Sequence, residues 1–302
     1  QTIMNHRIHI PFWILTISVL CALVLPRVVQ DGMFMDGLLY ACVSKNLSDG
    51  TGTFWFPHFN KITDSFFDQQ PPLGFGIQAV FFEIFGDSIY VERFYSFLTC
   101  IIAAYLLIVL WRILFRDEKE IKQMAWLPVL LWITIPVCFW AYSNNMLENT
   151  MTIFDLLSVI FIIKFFYRQN LLLLLLAGFF IFLASLTKGF QGLFPLCTIF
   201  FIWAVYKKFS FLKMILYSLT LLSVPLLIYF FLLRDEKIFE SITAYLNHRV
   251  IYSITTQATV ENRLYLIYRL FCIELLPSIL FAVLLIIFTN KKIQKKNENS
   301  FR

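Results

Sequence analysis

Long apolar runs alternate along the chain with short polar breaks. A bilayer span takes about 20 mostly apolar residues, and about eight stretches satisfy that, near residues 9–28, 94–115, 124–142, 146–166, 170–187, 190–206, 212–233 and 264–288. Two intervening segments have a different texture. In segment 30–93, Leu39, Tyr40, Val43 and Leu47 follow Asp36 at helical spacing. That spacing predicts an amphipathic helix at the membrane surface, ended by Asp49-Gly50 and Gly52. Phe54, Trp55, Phe56, Pro57 and His58 come next as an aromatic interfacial stretch, and Pro71-Pro72 breaks the chain before a second apolar helix near 73–85. Segment 234–263 is more polar, with Asp235, Glu236, Glu240, His248, Arg249 and Glu261. It reads as a loop, and a loop that long is often a lid or binding segment.

Composition makes the bilayer the main solvent. Residues are 59% hydrophobic, 18% aromatic and 15% charged, against about 25% charged in a soluble domain. The expectation is one polytopic, all-α unit over 1–302. The first run, Ile8–Leu25 after Arg7, ends without a small-x-small cleavage pattern, which predicts a retained helix. The net charge of +6 does not point to nucleic acid, because Lys and Arg alternate with the spans. Arg7, Arg112, Arg116, Lys119, Lys122, Lys164, Arg168, Lys207, Lys208, Lys213 and Lys291 all fall on one side. The positive-inside rule makes that side cytoplasmic. Segments 30–93 and 234–263 then face the periplasm, exterior or ER lumen. Five of the six cysteines lie within spans and only Cys42 is external, so no disulfide or metal framework is indicated.

Carboxylates flush with the outer membrane surface are the first chemical candidates, since partial desolvation raises a carboxyl toward a base's working range. Asp36, Asp64, Asp68 and Glu148 fit; the plain alternative for each is a solvated helix cap. Glu148 stands in a polar cluster with Asn144, Asn145, Asn149 and Thr150 at the start of the fourth span, where apolar residues would cost less. Thr187-Lys188-Gly189-Phe190 holds a cation between spans five and six, with lipid snorkelling as the bland explanation. Arg93, Arg249 and Arg263 are further cations on the side where the rule disfavours them, which suggests an anionic ligand. His58 and His248 have no ligand-like spacing. Glycine-rich phosphate loops, paired-cysteine motifs, H-E-x-x-H and G-x-S-x-G are all missing from the sequence.

Five motifs, in order, resemble the polytopic glycosyltransferases that use polyprenyl-phosphate sugars, of the protein O-mannosyltransferase and aminoarabinose transferase type with a GT-C fold. They are Asp36-Gly37-Leu38-Leu39-Tyr40 with Trp55 and Pro57; Asp68-Gln69-Gln70-Pro71-Pro72-Leu73; Gly86-Asp87 with Glu92-Arg93; Met146-Leu147-Glu148-Asn149; and Thr187-Lys188-Gly189. Several relatives carry Lys where this chain has Gln70. Family chains also usually continue further, so the resemblance implies that 1–302 is the N-terminal part of a longer protein.

The resemblance implies an inverting sugar transfer from a polyprenyl-phosphate-linked donor to a hydroxyl of a glycan, lipid or protein acceptor. Asp36 would be the base, with Glu148 and Asp68 as further catalytic carboxylates. Tyr40, Gln70, Arg93, Lys188, His248 and Arg249 would bind substrate. A divalent metal ion, as in some relatives, stays open, with Asp68, Glu148 and His248 as the residues that would act through it. The implied location is a bacterial inner membrane, with membrane lipids around the bundle and the site facing outward. The rival reading is a transporter or flippase of a lipid-linked or anionic substrate, kept open by Asp155 and Glu274 inside spans. A structural membrane subunit is a third.

Overall fold

The computed structural model describes residues 2–60, 62, 66–256, 263–268, 271, 272 and 276. The chain forms two compact units, Gln1–Arg249 and Val250–Arg302. In the second, the described residues include the short helices Tyr252–Thr255 and Arg263–Tyr268. Asp64, Glu261, Glu274 and most of the expected span 264–288 lie outside the described residues, as does the side chain of Arg263.

The first unit contains α1 (Thr2–Val29), α2 (Met35–Ser48), α3 (Leu73–Phe85), α4 (Ile89–Leu114), α5 (Lys119–Gln123), α6 (Trp126–Thr134), α7 (Pro136–Ser143), α8 (Leu147–Arg168), α9 (Leu171–Lys188), α10 (Thr198–Tyr206), α11 (Phe211–Leu232) and α12 (Glu236–Tyr245). Five helical runs among the described residues are long and apolar enough to cross a membrane, or six if the bent pair α6/α7 is one span. The 80° bend in that pair falls at Ile135. Pro136 follows and excludes its neighbour from the helical region, leaving Ile135 extended at ψ 121°.

The run Leu171–Tyr206 is 36 residues long, and as one straight helix it would measure about 54 Å, well beyond a hydrocarbon core of about 30 Å. It is instead a hairpin. The chain reverses at Gly189 (φ +64°), passes through a 3-10 stretch Gly189–Cys197, and returns so close to α9 that a Cβ on Gly192 would fall 2.3 Å from the Ala184 carbonyl carbon. The two arms match the expected spans near 170–187 and 190–206.

Two apolar clusters hold the bundle. One joins Leu20 and Val24 of α1, Cys100 and Ala103 of α4, and Val129 and Ile133 of α6. The other joins Ile162 and Phe165 of α8, Leu174 and Ile181 of α9, Ile199 of α10, and Met214 and Leu221 of α11. A third, with Tyr40, Val43, Phe67, Phe75, Met146 and Leu147, fastens segment 30–93 onto one end of the bundle. Gly37 permits that docking, since a Cβ there would lie 1.9 Å from the Asn144 carbonyl oxygen.

The surface helix expected from Asp36 and the helix expected at 73–85 are present as α2 and α3. Segment 234–263 departs from expectation: its first part is not a loop. Asp235 accepts the backbone N–H groups of Lys237 and Ile238 and so starts α12, and a π-helical turn, Leu246–Ile251, follows. An Asp N-cap ahead of Ile238, Ile242 and Tyr245 at helical spacing is the local signal for it.

Candidate active site

Phe34 is the N-cap of α2, and its N–H donates to Asn144 Oδ1 at 2.7 Å. Asp36 therefore lies inside the first turn, where its charge suits the helix dipole, and does not cap. Its carboxylate is half-buried and makes no hydrogen bond or ion pair among the described residues.

One turn on, Tyr40 is buried. Its hydroxyl lies in the field of Asp36, Glu148 and Arg249, with the Gln70 side chain as hydrogen-bonding partner. Burial, followed by the Asp36 and Glu148 charges, holds the phenol's pKa well above the usual tyrosine range, against smaller opposing effects of Arg249 and Gln70. Charges from three parts of the chain thus act on a hydroxyl hydrogen-bonded to a fourth.

The Lys188 ammonium pairs with Glu148 Oε1. Glu148 Oε2 is enclosed with no hydrogen-bond partner among the described residues. Gly189 follows Lys188, and a Cβ there would be 2.0 Å from Tyr245 Oη, so the Thr-Lys-Gly sequence is what lets α12 close onto the end of α9. Ser241 of α12 also donates to the Trp55 carbonyl at 2.6 Å. Between these elements lies an apolar cavity of about 300 Å³, lined among others by Trp55, Pro72, Leu186, Tyr229 and Tyr245, with Asp68 and Gln70 also on its wall.

Asp68 and His248 meet at 2.5 Å (Oδ2 to Nδ1), and Gln69 donates to the other Asp68 oxygen at 2.9 Å. This contact joins the two polar segments. It does not make a metal centre: Asp68 and His248 satisfy one another, Glu148 is taken by Lys188, and no three His, Cys, Asp or Glu side chains cluster among the described residues.

Two features of the sequence have other uses in the structure. Arg93 is buried, and its guanidinium donates to the carbonyls of Val28 and Gln30, closing the C-terminal end of α1. The asparagines around Glu148 are packing groups. Asn145 bonds Gln78 and the Gly37 carbonyl, Asn149 bonds Ser96 and the Ala141 carbonyl, and Thr150 bonds Tyr95. Tyr245 and Trp55, neither marked as a site residue by sequence, line the cavity; helix α12 is what carries Tyr245.

The fold defines a polytopic, all-α membrane bundle, and a family match makes it one of the GT-C glycosyltransferase type. The chain belongs to the dolichyl-phosphate-mannose-protein mannosyltransferase family, whose model matches residues 69–233. Gln70, Arg93, Glu148 and Lys188 fall within that range, and Asp36, Tyr40, Asp68, His248 and Arg249 outside it. No curated protein and no solved structure matches the chain.

Proposed function

We propose that the chain transfers a sugar from a polyprenyl-phosphate donor to an acceptor hydroxyl, in one inverting displacement at the extracytoplasmic face of a bacterial inner membrane. Asp36 takes the acceptor proton as the acceptor oxygen bonds to the anomeric carbon. The bond from that carbon to the phosphate oxygen breaks, and the polyprenyl phosphate leaves with the electron pair. Lys188 and Arg249 face the charge that develops there, as preorganised cations do at developing oxyanions. Tyr40, kept neutral, is a hydrogen-bond donor to the sugar or phosphate. Glu148 holds Lys188 in place. Gln70 removes a cation that several relatives have, and Arg249 supplies one near the same hydroxyl. The apolar cavity beside Gln70 takes the first isoprene units. Arg93 drops out as a ligand and Asp68 acts through His248 to hold the two polar segments together.

The observation that carries this reading is the buried Tyr40 hydroxyl, hydrogen-bonded to Gln70 and within the field of Asp36, Glu148 and Arg249, with Gln70 also on the wall of a cavity that suits a lipid chain. The test is incubation of reconstituted protein with radiolabelled polyprenyl-phosphate sugars and candidate glycan, lipid and protein acceptors. Label appearing in an acceptor, and lost with Asp36→Asn, supports it; donor turnover unchanged by that substitution overturns the assigned mechanism.

A second reading, transport of a lipid-linked substrate, draws on α8. Asp155 Oδ1 and Ser158 Oγ, one turn apart within the span, are buried without partners among the described residues. Movement of a labelled donor across proteoliposomes without any covalent product would favour it.

A further inference from the structure

At the opposite end of the bundle, a larger cavity of about 680 Å³ opens between the ends of α4 and α8 and the turn joining α10 to α11. Its lining is mixed, with Leu114, Ile163, Phe166 and Ile202 among its apolar residues and Gln169, Thr198 and Tyr217 among its polar ones. Arg116, Lys208 and Lys213 also line it. Arg116 lies over the Tyr167 ring at 3.7 Å from the centroid and is also paired with Asp117 at 3.2 Å. Lys208 and Lys213 are exposed and have no ion-pair partner among the described residues. Asp117 and Glu118 also line the cavity.

The combination is specific. The apolar part of the lining suits an acyl chain, and exposed basic residues at the end of the spans suit a lipid headgroup, since basic pockets between transmembrane helices select anionic lipids. Three cations against two carboxylates leave one net positive charge on the lining, the complement of a phosphodiester with one negative charge rather than of a phosphomonoester with nearly two. We propose that this cavity is a binding site for the phosphodiester headgroup of an anionic glycerophospholipid, separate from the Asp36–Lys188 site and independent of the transfer proposed there.

The test uses the full chain in phosphatidylcholine nanodiscs doped with spin-labelled phosphatidylglycerol, measuring the immobilised fraction against unlabelled competitors. Phosphatidylglycerol should displace the label, and phosphatidylcholine and inorganic phosphate should not. Lys208→Gln/Lys213→Gln, two exposed positions, should weaken retention about tenfold or more. Asp117→Asn/Glu118→Gln should strengthen it, which separates loss of the site from loss of the fold. Equal retention in the lysine variant, equal displacement by phosphatidylcholine, or stronger displacement by a polyprenyl monophosphate would each overturn the proposal.

Discussion

Lys188 and Glu148 form an ion pair across the facing ends of two antiparallel helices. Glu148 is in the first turn of α8 and Lys188 in the last turn of α9, so each charge sits at the helix end whose partial charge favours it. The lysine is 8% exposed and the glutamate 38%. This is not a snorkelling lysine reaching for water. It is a buried cation held by a carboxylate whose other oxygen has no partner among the described residues.

That arrangement changes what Lys188→Met should do. The methionine stem fills the same space, but Glu148 loses its partner, which costs about 2 kcal/mol. Donor turnover is expected to fall strongly, with a modest drop in thermal midpoint. Lys188→Met/Glu148→Gln should recover the midpoint and leave turnover low. Full recovery of both, in a donor-consumption assay with parallel thermal unfolding, would reduce the pair to a structural one.

Asp36→Asn should cut transfer by about two to four orders of magnitude, the usual worth of a general base, at unchanged expression. A capping role would predict near-full activity, because Asn caps as well as Asp. The structure already assigns the cap to Phe34. Transfer within a few-fold of the unsubstituted protein would remove Asp36 from the chemistry.

Tyr40 should stay protonated in alkaline solution, because burial and the two nearby carboxylates raise its pKa. The ionised form is the one penalised, so this site opposes folding only above the ordinary tyrosine pKa and contributes nothing at neutral pH. Tyr40→Phe should lower transfer by about tenfold at neutral pH, the worth of a hydrogen bond to a charged group. It should leave the shape of the pH profile through pH 9 unaltered. A profile that gains or loses an inflection in the variant would contradict this.

Gly189→Ala faces both a left-handed backbone (φ +64°) and the Tyr245 hydroxyl. Strain of about 1–3 kcal/mol should lower the thermal midpoint and displace α12. Adding Tyr245→Phe removes the closest atom and should restore part of the midpoint. No recovery in the double variant would show that backbone strain alone is responsible.

The orientation of the bundle is checked by single cysteines in a cysteine-free background. Ile62, 93% exposed on the polar segment before α3, and Lys119, exposed in α5, lie in segments expected on opposite sides. In intact cells a membrane-impermeant thiol reagent should label position 62 only. Labelling at 119 would invert the proposed topology.

Much of the architecture is legible from local pattern. Apolar run length marks the spans, the spacing of Leu39, Tyr40, Val43 and Leu47 marks α2, and Pro71-Pro72 marks the start of α3. These depend on neighbours within one or two turns, which a sequence displays directly. The family, too, is written in short motifs, matched over residues 69–233. Partnership is not written that way. Glu148 and Asn149 are adjacent and equally polar, yet one faces Lys188 and the other is absorbed by Ser96 and Ala141. Arg93 and Lys188 carry the same charge in similar settings, yet Arg93 closes the end of α1. His248 finds Asp68, and Tyr245 finds Gly189, only because α12 folds back over the bundle end. Which polar group is left free for chemistry is decided by helix packing over long separations, after every group that must be satisfied inside a membrane protein has found its partner.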